Sequence, residues 1–178
     1  MKERSIEIVA ATGLVIGGIF GMVGSFVSSA SLRSLAWVID GAGLVLACAL
    51  LTIYYFRKGL DITAAGFLIF AIGEGFILAS SGMNLDLTVY SFGAGTGLWA
   101  TALFVISFQK TYPLFLRVTG LLSATLFAVT AVLIFTGEPL NALTKPLPFF
   151  AYPVFAITIF GWAWTLFNHR PLPQIKIT

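Results

Sequence analysis

Charge is scarce in this sequence: 10% of its 178 residues are Asp, Glu, Lys or Arg, where a water-soluble domain carries about 25%. That shortage excludes an ordinary soluble fold. The matching surplus, 58% hydrophobic and 15% aromatic residues with a mean hydropathy of +0.99, excludes intrinsic disorder. Cysteine and histidine occur once each, as Cys48 and His169. A disulfide, a bis-histidine haem site and a zinc site of Cys and His ligands are therefore ruled out, and no metal and no cofactor is expected. Sequons, lipidation signals, nucleophile elbows, HExxH, CxxC and phosphate-cradling loops are all missing, so no catalytic residue is assigned. Ten Lys and Arg give a net charge of +3, but they are scattered along the chain without forming a basic patch. Nucleic acid is not an expected partner.

What is present is six apolar runs: Ile8–Val27, Leu35–Phe56, Ile62–Gly82, Leu87–Phe108, Val118–Thr136 and Leu147–Asn168. Each has 19 to 22 residues, which as a helix crosses a hydrocarbon core of about 30 Å. Barrel strands would be about half that length and alternate in polarity. The expected fold is all-α: a single integral membrane bundle of six transmembrane helices with short loops, residues 1–178 forming one domain. The first run is too long for the h-region of a signal peptide and is expected to remain as a span.

Short connections reveal orientation because translocating Lys and Arg is disfavoured. An inside N-terminus puts Lys2, Arg4, Arg57, Lys58, Lys110, Arg117, Arg170 and Lys176 on the cytoplasmic side and leaves Arg33 and Lys145 outside. Both termini are thus expected in the cytoplasm of a bacterium, with the bundle in its inner membrane. Tyr54, Tyr55, Trp162 and Trp164 read as interface anchors, and Arg117 as a side chain reaching headgroups. Pro153 is expected to kink the last helix in its outer third. His169 reads as a cap on that helix, Cys48 as a small core residue.

Two acids lie inside apolar runs, Asp40 in LAWVIDGAGL and Glu74 in FLIFAIGEGFIL. An acid at mid-span costs ~2.5–3.5 kcal/mol on the insertion scale and so marks function by default. Counting back from the span ends puts Glu74 ~12 Å and Asp40 ~8 Å below the outer boundary. A short turn joins their helices, so the two carboxyls can line one cavity. A pair sharing a poorly hydrated cavity holds a proton between them at neutral pH, as a proton-coupled carrier or a cation site requires. The alternative is that Asp40 lies close enough to the interface to be hydrated and that Glu74 merely hydrogen-bonds a neighbouring helix. Ser81, Thr96, Thr130 and Tyr152 fall near the same depth and complete a candidate substrate- or proton-binding set, each having the alternative of an interhelical hydrogen bond. The glycines of Gly73-Glu74-Gly75 thin the third helix and admit backbone approach or local unwinding there.

Glycine is patterned. Gly13, Gly17, Gly21 and Gly24 stripe the first helix, and Gly93 and Gly97 the fourth, as helix-packing faces. The first stripe also offers a docking face for a second copy or a partner in a membrane complex. Seventeen phenylalanines serve packing, with a hydrophobic ligand such as a quinone or isoprenoid as the less favoured use. These features rank three functions: a carrier or channel-like protein for a small solute, ion or proton with its acidic site at Glu74 and Asp40, then a non-catalytic accessory or assembly subunit, then an intramembrane enzyme acting on a lipid or isoprenoid.

Overall fold

In hydrocarbon every backbone N–H and C=O must be paired within the chain, which makes a continuous helix the economical form of each apolar run. The computed structural model of the protein describes residues 3–80 and 84–168. Among them are α1 (Glu3–Phe26), α2 (Ala30–Arg57), α3 (Asp61–Ser80), α4 (Val89–Phe108), α5 (Leu114–Phe135) and α6 (Ala151–Phe167), with one 3-10 turn at Leu85–Leu87 and no strand. The protein is an all-helical bundle of the membrane type, its first five helices long and apolar enough to span a bilayer. Its outer surface is correspondingly apolar, with Phe26, Phe56, Leu87, Leu114, Val132 and Trp164 among the large side chains it exposes.

Sharp punctuation keeps the helices antiparallel. Ser29 caps α2 by accepting the Leu32 N–H on its hydroxyl, and Gly59, at φ 71°, makes the turn from α2 to α3. Arg117 closes the α4–α5 turn by donating from Nε to the Ser107 carbonyl at 2.8 Å. Each helix packs on its chain neighbours, and α1 packs on α6 to close a ring of six. At the seam Arg4 donates to the Leu166 and Phe167 carbonyls at 2.8 and 2.7 Å, so the start of α1 and the end of α6 share one end of the bundle. Arg57, Lys58, Lys110 and Arg117 lie at this terminal end as well, whereas Arg33 and Lys145 lie at the opposite, loop end.

The axis of the ring is filled with aromatic rings. Tyr55 stacks on Phe67 at 5.4 Å, Phe67 meets Trp162 edge-on at 5.1 Å, and further along Phe70, Trp99 and Phe155 form a stack with Phe127 against its edge. Small residues let the helices close around this column. A Cβ at Gly13 would come within 2.8 Å of the Gly43 carbonyl, so α1 and α2 meet backbone to backbone there.

Several expectations are corrected at this level. The last helix begins at Ala151 rather than Leu147, because Pro146 and Pro148 disfavour helix in the residues before them and the chain turns through 145–150 instead. Pro153 is then the third residue of α6, in the first turn, where the missing N–H breaks no helical bond and produces no mid-helix kink. Trp162, Tyr54 and Tyr55 are buried in the core rather than at an interface; of that group Trp164 alone is exposed. The third helix runs unbroken through Gly73, Glu74 and Gly75, without unwinding. Ser81 and His169 lie outside the described residues.

Candidate functional site

Helix α2 descends from the loop end and α3 climbs back to it, so Asp40 and Glu74 can be compared from the same edge. Asp40 is ten residues into α2, ~15 Å along its axis, and Glu74 is six residues from the end of α3, ~9 Å. Asp40 is thus deeper than its apolar run alone implies, because α2 starts earlier, at Ala30, where Ser29 caps it. The two acids belong to one site. A Cβ at Gly41, beside Asp40, would lie 3.1 Å from Glu74 Oε1, so the Glu74 carboxyl rests on the α2 backbone. The Asp40 carboxyl rests on α1, with Oδ2 2.9 Å from where a Cβ of Gly21 would be and Oδ1 3.2 Å from that of Gly17.

Both carboxyls line a cavity of about 40 Å³ under the loops, enough for about three waters at ~10–15 Å³ each. The remaining lining comes from Gly21 on α1, Trp37 on α2, Ile77 on α3, Leu85 and Thr88 from the turn before α4, Phe92 and Trp99 on α4, Asn141 and Ala142 from the α5–α6 loop, and Tyr152 on α6. The loop that follows Gly137 is thus part of the cavity wall. Asn141 holds its own turn, its Oδ1 accepting the Leu143 N–H at 3.0 Å. A second pocket of about 20 Å³ shares Gly21, Asp40, Trp99 and Tyr152 with the first and extends between α1 and α6 past Gly18 and Ala156.

The electrostatics of the cavity are one-sided. Among the described residues two acids line it and no Lys or Arg does, while the Arg33 guanidinium lies 6.0 Å from the ring centre of Trp37, one of the lining residues. Glu74 is 1% exposed and its Oε2 has no hydrogen-bond partner; Trp99 is 2% exposed and its indole N–H has none either. The indole N–H of Trp99 is the donor directed at the Glu74 carboxyl, a contact outside strict hydrogen-bond geometry. Buried polar atoms are nearly always paired, and each unpaired one costs about 1–3 kcal/mol. Both residues belong to the lining of the same small cavity.

Other candidates from the sequence go elsewhere. Thr96 donates to the Gly93 carbonyl at 3.0 Å and Thr130 to Leu126 at 2.9 Å, each satisfying itself on its own helix, as short hydroxyls in apolar helices do. Neither lines the cavity; Tyr152 does. The stripe on α1 is spent inside the chain: Gly13 faces Gly43 and Ala47, Gly17 faces Leu44 and Asp40, Gly21 faces Asp40, and Gly24 faces Trp37. Gly93 and Gly97 face Ile134 and Ala131 of α5. Among the described residues no three acidic, Cys or His side chains converge as a metal cage would require.

Sequence reasoning missed two features. Trp99 is the eleventh of the twenty residues of α4, and a tryptophan at mid-span, away from either interface, was the available signal. Glu7 is buried at the terminal end, where it accepts from the Tyr54 hydroxyl at 2.7 Å and pairs with Arg4 at 3.3 Å. Drawing the first span from Ile8 had put this acid outside it. The Arg4–Glu7–Tyr54 clasp joins α1, α2 and, through the carbonyls bound by Arg4, α6. Next to it Tyr55 and Tyr112 share a 2.7 Å hydrogen bond. The cavity at one end is therefore separated from the other end by the aromatic column and these polar ties. No family model matches the chain, and neither does any curated protein or solved structure.

Proposed function

We propose that this protein is a carrier or channel-like protein for a small solute or ion, with Glu74 as the central group of the binding site and Asp40 as its companion. The observation that carries the reading is the unpartnered Glu74 carboxylate oxygen, buried beside Asp40 in a cavity with room for a few waters. An acid held at such depth without a partner is disfavoured unless a ligand or proton supplies the missing interaction. Its position between several helices fits the way carriers build sites from side chains on many elements. The docking reading loses its main feature, since the α1 stripe packs on α2.

Lys and Arg concentrate at the terminal end, and we infer from that bias a bilayer orientation with the termini in the cytoplasm and the cavity toward the outside. In this state the aromatic column closes the inner path, and transport requires it to part. The test is flux in proteoliposomes loaded with a pH-sensitive dye and challenged with gradients of small cations. The reading expects a solute-driven response in the wild type that Glu74→Gln abolishes and Asp40→Asn weakens. A response of equal size in Glu74→Gln would overturn it.

A further inference from the structure

The same cavity also indicates what kind of solute it takes. We propose that it is a site for a small organic ammonium ion, a cation of about three to five heavy atoms. This rests on the reading of the cavity as a solute site and goes on to name its ligand class. Three observations carry it. The cavity presents Asp40 and Glu74 with no basic residue among the described residues of its lining, so a cation is the charge it complements. Glu74 Oε2 is an acceptor without a donor, which an ammonium N–H supplies. Its walls are aromatic, with Trp37, Phe92, Trp99 and Tyr152 around the two acids.

The lining separates an organic cation from an inorganic one. A hard metal ion asks for a shell of about six or more oxygens, and beyond the two acids the described lining offers oxygen-bearing side chains only from Thr88, Asn141 and Tyr152, among a majority of apolar residues. An organic ammonium is suited to those walls, since its carbon atoms gain by leaving water for apolar side chains while its charge stays beside the two acids. Volume sets the size: about 40 Å³ holds about three water-sized groups, so a two- or three-carbon amine fits where a long polyamine does not. The pocket between α1 and α6 gives the alkyl end room beside Gly18 and Ala156.

The test is calorimetric titration of the full chain in detergent at constant ionic strength with ethylammonium, with ethanol as its uncharged isostere and sodium as the inorganic cation. Saturable binding of ethylammonium is expected, with ethanol and sodium at least tenfold weaker. Glu74→Gln should weaken ethylammonium at least tenfold, and Trp99→Leu, which removes a ring wall, should weaken it several-fold. Asp40→Asn, expected to weaken binding several-fold, carries the test if Glu74→Gln does not fold. Sodium binding as tightly as ethylammonium, ethanol binding as tightly, or no saturation with ethylammonium in the folded protein would each overturn the proposal. Failure of ethylammonium to bind, together with Glu74-dependent flux of another solute, would remove the ligand class and leave the carrier reading. Binding of ethylammonium without any flux would do the reverse.

Discussion

A residue kept for a ligand is a liability to the empty protein, and Glu74 makes that measurable. It is 1% exposed with one carboxylate oxygen unpaired, wedged between the α2 backbone at Gly41 and the indole of Trp99. Methionine has a similar length and an adaptable, apolar side chain, so Glu74→Met keeps the packing and removes the unsatisfied group. An unpaired buried polar group costs about 1–3 kcal/mol, and the substitution should stabilise the ligand-free protein by that amount. In a chain of this size each kcal/mol moves the melting temperature by roughly 2–4 °C. Thermal unfolding followed by circular dichroism in a mild detergent should therefore show Glu74→Met melting above the wild type, while flux in proteoliposomes falls to background. Such a trade of activity for stability is usual where function requires a strained or unsatisfied site. If Glu74→Met instead lowers stability by more than about 1 kcal/mol, a loss of the size expected when a satisfied partner is removed, the carboxyl is a structural bond and the argument for a ligand fails.

Further predictions concern the frame around the site. Tyr54→Phe removes a donor from the buried Glu7 carboxylate and should destabilise the protein by about 1–3 kcal/mol in the same unfolding assay, whereas Glu3→Ala, which breaks the more open pair with Lys58, should cost no more than about 1 kcal/mol. Gly13→Leu drives a side chain into the Gly43 carbonyl and should separate α1 from α2, seen as loss of a monodisperse folded peak on size exclusion. Gly75→Ala meets open space and should be neutral or stabilise by up to about 1 kcal/mol, since alanine is the better helix former.

Legibility from sequence followed the range of the interaction. Six apolar helices, five of them long enough to span a bilayer, can be read directly because hydropathy is a local property, and the antiparallel order follows from turns as short as Lys58–Gly59. The start of α6 was misplaced because apolar content continues through 147–150, while the prolines around it decide the backbone. The acids stood out by their rarity, but their common cavity depends on how α2 and α3 are rotated against α1 and α4. Depth alone misled for Thr96 and Thr130, because it does not say whether a hydroxyl faces a cavity or folds back onto its own helix. Tyr55 was unreadable as a core residue for the same reason, since a tyrosine near a span end serves an interface or a core equally well until the neighbouring helices are in place, whereas the mid-span position of Trp99 already set it apart from an interface anchor.

A cavity that takes a solute beside Glu74 must be wet, and hydroxyl-radical footprinting read by mass spectrometry tests that with a control inside the molecule. Trp99 and Trp162 are 2% and 1% exposed, the first lining the cavity and the second set in the aromatic column. Radicals formed from water in the cavity should oxidise Trp99 and Tyr152 and leave Trp162 untouched. Equal protection of Trp99 and Trp162 in the folded protein would mean a dry cavity and contradict the site proposed here.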